Sequence, residues 1–244
     1  MNIEDKLNKI WKNYENVCAD TKIKEVLDRG FVFSDSKVCE ILITGINPSF
    51  NNKKDRPEKP KIGFPFPPPP EAKKNAYFTK LLNIVKKACP ESSLGYTDLF
   101  YYRGKQALVW DFLKDKSNGV AFLAEQLALT QQQIEDAKPK LILVFNKGSY
   151  DFWGKNAKKD DNNSYTNVWM GYDFEKVKMF NHNHGELCKI TGLIDSEERV
   201  CKNIDKKNLE GTLVYFYKYL GRTNKLTMEK ISDEIRKIIN GEIK

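Results

Sequence analysis

The chain has 244 residues, 40% of them hydrophobic and 12% aromatic, which is enough to build one sizeable α/β domain. Its 41 Lys and Arg against 33 Asp and Glu leave a net charge of +8, which suits a polyanionic partner, nucleic acid first, though a lysine-rich solvated surface gives the same surplus. Five scattered cysteines with no C-x-x-C pair argue against a disulfide framework or a zinc ribbon, and no window approaches the ~20 apolar residues of a membrane span, so the expectation is a cytoplasmic monomer in a reducing compartment.

In chain order, Ile3, Leu7, Ile10, Trp11, Tyr14 and Val17 recur at helical spacing and predict an N-terminal helical segment that stops at Gly30. Residues 39–44 form a continuous apolar run, the pattern of a strand buried on both faces. Residues 51–70, "NNKKDRPEKPKIGFPFPPPP", hold most of the prolines and read as a long loop. A helix follows to Ala88, with Tyr77, Phe78, Leu81, Leu82 and Val85 on one side. Residues 94–103 read as a second strand, 119–137 as an amphipathic helix, and 140–145 as a third strand that turns at Gly148 into a short helix.

Residues 155–211 break the rhythm. A polar tract precedes "VWMGYDFEKVKMF", which reads as a hairpin, and "NHNHGELCKITG" reads as a loop, so the region is expected to be an insertion or an excursion at the sheet edge. The pattern returns with a strand over residues 211–220 and a final helix capped by Thr227. Strands alternating with helices imply a three-layer sandwich, a mainly parallel central sheet covered by helices on both faces, with the insertion added to it. In such sheets, function gathers beyond the carboxyl ends of the strands, here residues 45–50, 98–103, 146–149 and 219–224.

Three motifs in those regions belong together: "GINPS" at residues 45–49, "GFPF" at 63–66 and "NAYFTKLL" at 75–82. In this order they resemble the uracil-DNA glycosylase superfamily, closest to the mismatch-specific uracil/thymine branch, whose first motif runs Gly-Ile-Asn-Pro-Gly ahead of a Gly-Phe-Pro-Phe-like segment and an Asn-x-Phe-Trp helix. The resemblance covers residues 39–82; beyond them only the order of elements fits, and residues 156–211 match nothing in the family.

The resemblance implies an enzyme that flips a damaged or mismatched pyrimidine, uracil or thymine opposite guanine, out of duplex DNA and hydrolyses its N-glycosidic bond without metal or organic cofactor. A flipped base needs a snug pocket with an aromatic face. Phe66 matches the family's stacking aromatic, with Phe64 and Phe50 as substitutes, and Ile46, Ser49 and Asp98 would complete the base pocket. Asn47 would hold the attacking water; an amide orients but takes no proton near neutrality, whereas an Asp at this position would be a stronger base. The plainer role for Asn47 is a turn former, and for Asp98 an acceptor for neighbouring amides.

The family's second motif, which opens on His or Asn followed by Pro-Ser, is replaced here by "KYLGRTNK" at residues 218–225. Tyr219 stands at the His or Asn position as a possible partner of the leaving base, Leu220 or Arg222 would serve as wedge, and Asn224 would meet the strand. This departure keeps open a second function, a nucleic-acid-binding module that has lost catalysis. Lys53, Lys54 and Arg56 beside the expected pocket are the first candidates for phosphate contacts. His182 and His184, with Cys188 and Cys201 downstream, lack any standard zinc spacing and read as a polar loop.

Overall fold

The computed structural model describes residues 2–16, 22–34, 38–50, 61–69, 75–161, 164–180, 185–205, 207–220 and 224–243. It opens with helices α1 (Ile3–Tyr14) and α2 (Lys22–Asp28), which bury the apolar stripe read from the sequence: Leu7, Ile10, Trp11 and Tyr14 in α1, and Ile23, Val26 and Leu27 in α2. Asn2 starts α1 by accepting a hydrogen bond from the Asp5 amide at 2.8 Å.

Next come β1 (Phe31–Ser34), β2 (Ile41–Gly45), β3 (Lys61–Phe64), α3 (Ala76–Ala88) and β4 (Leu94–Asp98). After β4 follow α4 (Leu108–Lys114), α5 (Gly119–Ala137) and β5 (Leu141–Val144), then a 3-10 turn at Lys147–Ser149 leading into α6 (Tyr150–Trp153). The chain finishes through β6 (Lys158–Lys159), β7 (Tyr165–Thr166), β8 (Tyr172–Met179), β9 (Gly185–Leu193), β10 (Leu213–Tyr217) and α7 (Lys225–Ile239).

The central sheet has six strands in the order β4-β2-β5-β10-β9-β8. The first four are parallel, and β9 and β8 extend the edge antiparallel. All residues of β2, β4 and β5 are buried, as the unbroken apolar runs of β2 and β5 required. Alternation along the strands divides the core. Leu42, Ile142, Val144, Val214 and Phe216 pack with α1, α2 and α5 on one face, while Ile41, Ile43, Leu141, Leu143 and Tyr215 pack with α3 and α7 on the other. The sheet is thus mostly parallel and flanked by helices, as expected.

Four expectations are corrected. Residues 61–64 lie within the predicted proline-rich loop, yet they form β3, which pairs parallel with β1 in a separate two-stranded sheet; the prolines lie outside this short run, so its amides are free to pair. The second predicted strand leaves the ladder after Asp98 and continues as a buried loop, fastened by Leu99 N–H to Gly45 O at 3.0 Å and Phe100 N–H to Ile46 O at 2.8 Å. The hairpin in the inserted region is larger than predicted: residues 172–179 form one arm, and the other is β9, within the segment expected to be a loop. β9 pairs with β10, so this region enlarges the central sheet. Finally, α7 is capped by Asn224, whose side chain accepts from Thr227 N–H at 2.9 Å, so Thr227 lies inside the helix.

The inserted region is tied down by polar contacts as well as by the ladder. The Tyr172 hydroxyl donates to Glu135 Oε1 at 2.6 Å, Asn208 Nδ2 donates to Glu135 Oε2 at 2.5 Å, and Lys155 pairs with Glu186 at 2.5 Å beneath the Phe216 ring. No described helix is long and apolar enough to cross a membrane.

Candidate functional site

The carboxyl ends of β2 and β4 open into a cavity of about 490 Å³. Its wall is built from three directions. The β2 end supplies Gly45, Ile46, Asn47, Pro48 and Ser49; β4 and the loop after it supply Tyr96, Asp98, Arg103 and Gln106; β3 and the start of α3 supply Phe64, Asn75, Tyr77 and Phe78. A volume of this size lies in the range of small-molecule sites.

Asn47 is 8% exposed, and its amide nitrogen donates to Gly104 O at 2.8 Å and Pro48 O at 3.1 Å. Two carbonyl acceptors orient the amide, because only the nitrogen side can serve both. Its Oδ1 is buried and accepts no hydrogen bond among the described residues. An orphan acceptor of this kind is costly unless a ligand or water donor meets it.

Asp98 is 9% exposed and receives the Tyr96 hydroxyl on Oδ1 at 2.8 Å. Burial raises its carboxyl from the ordinary 3.8 to about 7, opposed by the hydrogen bond from Tyr96, which favours the charged form. Both groups crowd against Gly45, where a Cβ would overlap Asp98 Oδ1 and the Tyr96 hydroxyl. The glycine of the GINPS motif is therefore needed for the close approach of the next strand's side chains.

The aromatic wall is a contiguous cluster. Phe78 meets Tyr96 with ring centroids 5.0 Å apart, Phe64 meets Phe78 at 5.5 Å, and Phe66 meets Tyr96 at 5.3 Å. Phe64 faces the cavity, whereas Phe66, the expected stacking face, packs against Tyr96 and Phe78 and does not line it. Asn75 caps α3 through Tyr77 N–H at 2.9 Å and Phe78 N–H at 3.3 Å, which fixes the entry of both rings.

Ile46 and Ser49 line the cavity, and Ser49 is exposed. Phe50 does not line it: the guanidinium carbons of Arg29 and Arg103 lie 4.6 and 5.0 Å from its ring centroid, and each arginine donates to the other's carbonyl. Phe50 thus braces two cations instead of facing a ligand.

The two remaining strand ends reach the site from one side. Asn146, after β5, donates through Nδ2 to Gln106 Oε1 at 3.1 Å on the cavity wall and forms an antiparallel bridge with Tyr219. Tyr219 is 57% exposed and does not line the cavity. Leu220, expected as a wedge, is corrected by its 1% exposure: it packs in the core with α3 and α7, while its carbonyl accepts from Lys80 Nζ at 3.2 Å. Asn224 spends its side-chain oxygen on the α7 cap. Lys53, Lys54, Arg56, Arg222, His182 and His184 lie outside the described residues.

Among the described residues no group of three or more His, Cys, Asp or Glu gathers in a way that could hold a metal ion. Tyr96, Tyr77, Phe78, Asn75, Arg103 and Gln106 were not singled out from the sequence as site residues. Tyr96 alone left a usable signal, since residues two apart on a strand share a face and "YTD" places its hydroxyl beside Asp98. No protein-family model matches the chain, and no curated protein is significantly similar to it.

Proposed function

We propose that this chain is a uracil-DNA glycosylase-like hydrolase that takes a damaged or mismatched base out of duplex DNA and cleaves its N-glycosidic bond. The observation that carries the reading is Asn47 Oδ1, a buried acceptor without a partner among the described residues, on the wall of the cavity at the strand ends. A water donating to that oxygen would be held at the carboxyl end of β2, where the glycosidic carbon of a flipped nucleotide would lie.

The surroundings suit the chemistry. Phe64, Tyr96 and Phe78 supply aromatic surface against which an unstacked base is favourable. Cleavage proceeds through an oxocarbenium-like state, with positive charge on the sugar and negative charge on the leaving base. Asp98 and Arg103 both line the cavity, and a carboxyl near the sugar would favour the positive charge that develops there. The net charge of +8 favours a polyanionic substrate. Uracil or thymine opposite guanine is the substrate that the three motifs suggest.

The test is strand nicking after alkali on labelled duplexes that contain U·G, T·G, U·A, hypoxanthine or no lesion. Nicking confined to lesion strands, lost in Asn47→Ala, supports the reading. Salt-sensitive DNA retention without nicking would replace it with the binding module, the role that the altered second motif around Tyr219 leaves open.

A further inference from the structure

We propose that Asp98 is the proton acceptor for the water that Asn47 orients, so that two residues on neighbouring strand ends divide the activation of the nucleophile. This rests on the glycosylase reading of the cavity and adds a residue to it. Asn47 alone leaves the reaction incomplete: its amide can accept a hydrogen bond from water but cannot remove the proton when the water attacks.

The fold brings the two side chains to one wall. Gly45 and Asp98 are register partners across β2 and β4. Beyond the strand ends the two chains stay in step through Leu99 N–H to Gly45 O and Phe100 N–H to Ile46 O. Asn47 and Asp98 both line the cavity, and both are more than nine-tenths buried.

Their hydrogen-bonding states are complementary. Asn47 uses its nitrogen on Gly104 and Pro48 and leaves Oδ1 unmatched; Asp98 accepts the Tyr96 hydroxyl on Oδ1, which leaves Oδ2 as the oxygen assigned to the water. The wall thus presents two acceptor oxygens of different acidity. A water has two hydrogens to give, so one molecule donating to both oxygens would keep a lone pair for the sugar carbon. The Tyr96 hydroxyl fixes the carboxyl from behind, as an orienting group fixes a general base.

In the step itself, a bond forms between the water oxygen and C1′ while the C1′–N bond breaks. The bonding pair leaves with the base, which becomes an anion and takes a proton from solvent, and the water's proton passes to Asp98 Oδ2. Loss of that proton to solvent restores the carboxylate. No oxidant, metal or second substrate enters the balance.

The groups that face Asp98 keep its titration simple. Tyr96 on its own strand, Tyr77 from α3, and Tyr101 and Tyr102 from the following loop are all pushed above the ordinary tyrosine range by burial, so they stay neutral where the carboxyl titrates. Arg103 supplies the positive charge on the same wall. The carboxyl of the free protein titrates at about 7, so the acceptor form grows as pH rises toward that value.

The experiment measures single-turnover base release from the lesion duplexes between about pH 5 and about pH 9 for wild type, Asp98→Asn and Tyr96→Phe, alongside DNA retention and thermal melting. The expected wild-type profile rises with pH and levels off above neutrality. Asp98→Asn is expected to lose about 10²–10⁴-fold in rate, to lose the rising limb, and to retain DNA binding. Tyr96→Phe is expected to stay active with the limb moved to higher pH, because the lost hydrogen bond favours the charged carboxyl; this variant decides the matter if Asp98→Asn does not fold.

Asp98→Asn that keeps the rising limb and wild-type rate overturns the proposal alone, as does a variant that only changes which base is released, which would make Asp98 a reader of the base. Wild type that releases no base at any pH overturns the proposal together with the glycosylase reading.

Discussion

The Tyr96 hydroxyl and Asp98 Oδ1 are joined at 2.8 Å, and both lie against the bare Cα of Gly45 on the adjacent strand. A methyl group at residue 45 would overlap both oxygens. Neither can withdraw easily, since Tyr96 is boxed by Phe64, Phe66 and Phe78. Gly45→Ala is therefore expected to destabilise the protein by about 1–3 kcal/mol, as overpacking does. It should also abolish base release, because the carboxyl would be displaced. Urea melts and the nicking assay on the same preparation check both.

The buried carboxyl makes stability depend on pH in a stated direction. The folded-state value of Asp98, about 7, lies above the ordinary 3.8, so between those limits the native state holds a proton that the unfolded chain has released. Stability from this group is present at low pH, declines as pH rises through the window, and is level above about 7. Asp98→Asn keeps an oxygen for the Tyr96 hydroxyl but carries no charge. Relative to wild type it is expected to gain stability by a few kcal/mol between acid and neutral pH, measured as the difference between two series of melts. A difference that does not grow with pH would remove the burial argument.

The ends of β2 and β5 were legible because burial on both faces requires unbroken apolar runs, and these end at Gly45 and near Asn146. The motif around Asn47 lies at the end of β2, where the cavity opens. What the sequence hid was any feature set by tertiary approach. Phe64 and Phe66 are equivalent in "GFPF", and only the short pairing of β3 with β1 decides that Phe64 faces the cavity. Gly185 to Leu193 looked like a loop because glycines and polar residues interrupt its apolar positions, yet β10 and β8 supply partners on both sides. Asn224, counted among nucleic-acid contacts, is taken by a helix end three residues away. Local chemistry competes with function for the same polar side chains, and one sequence does not show which wins.

Tyr219 and Leu220 are adjacent in the chain but opposite in environment, at 57% and 1% exposure. Leu220→Ala removes a side chain packed with α3 and α7 and is expected to cost about 2–4 kcal/mol. Tyr219→Ala is expected to change stability by no more than about 0.5 kcal/mol, since the residue is largely exposed. If Tyr219 meets DNA, the tyrosine variant lowers retention while the leucine variant, compared below its own melting point, does not. Equal losses of retention in both would argue that Tyr219 takes no part.

Asn47 can be separated from a simple turn former by comparing Ala with Asp. Ala removes the donors to Gly104 O and Pro48 O and leaves two carbonyls without them, an expected loss of about 1–2 kcal/mol that does not vary with pH. Asp puts an oxygen where the amide nitrogen sits, facing those carbonyls. Its charged form is then repelled, so its folded-state pKa is raised and the native state favours the proton. The deficit of Asn47→Asp relative to wild type is therefore expected to be small at acid pH and to widen as pH rises. An aspartate here would be a stronger base in isolation, but these two carbonyls oppose its ionisation, and that makes the amide the residue the site can hold. If Asn47→Asp instead matched wild type in melts at neutral pH and released base faster, the amide would not be oriented by the two carbonyls as drawn.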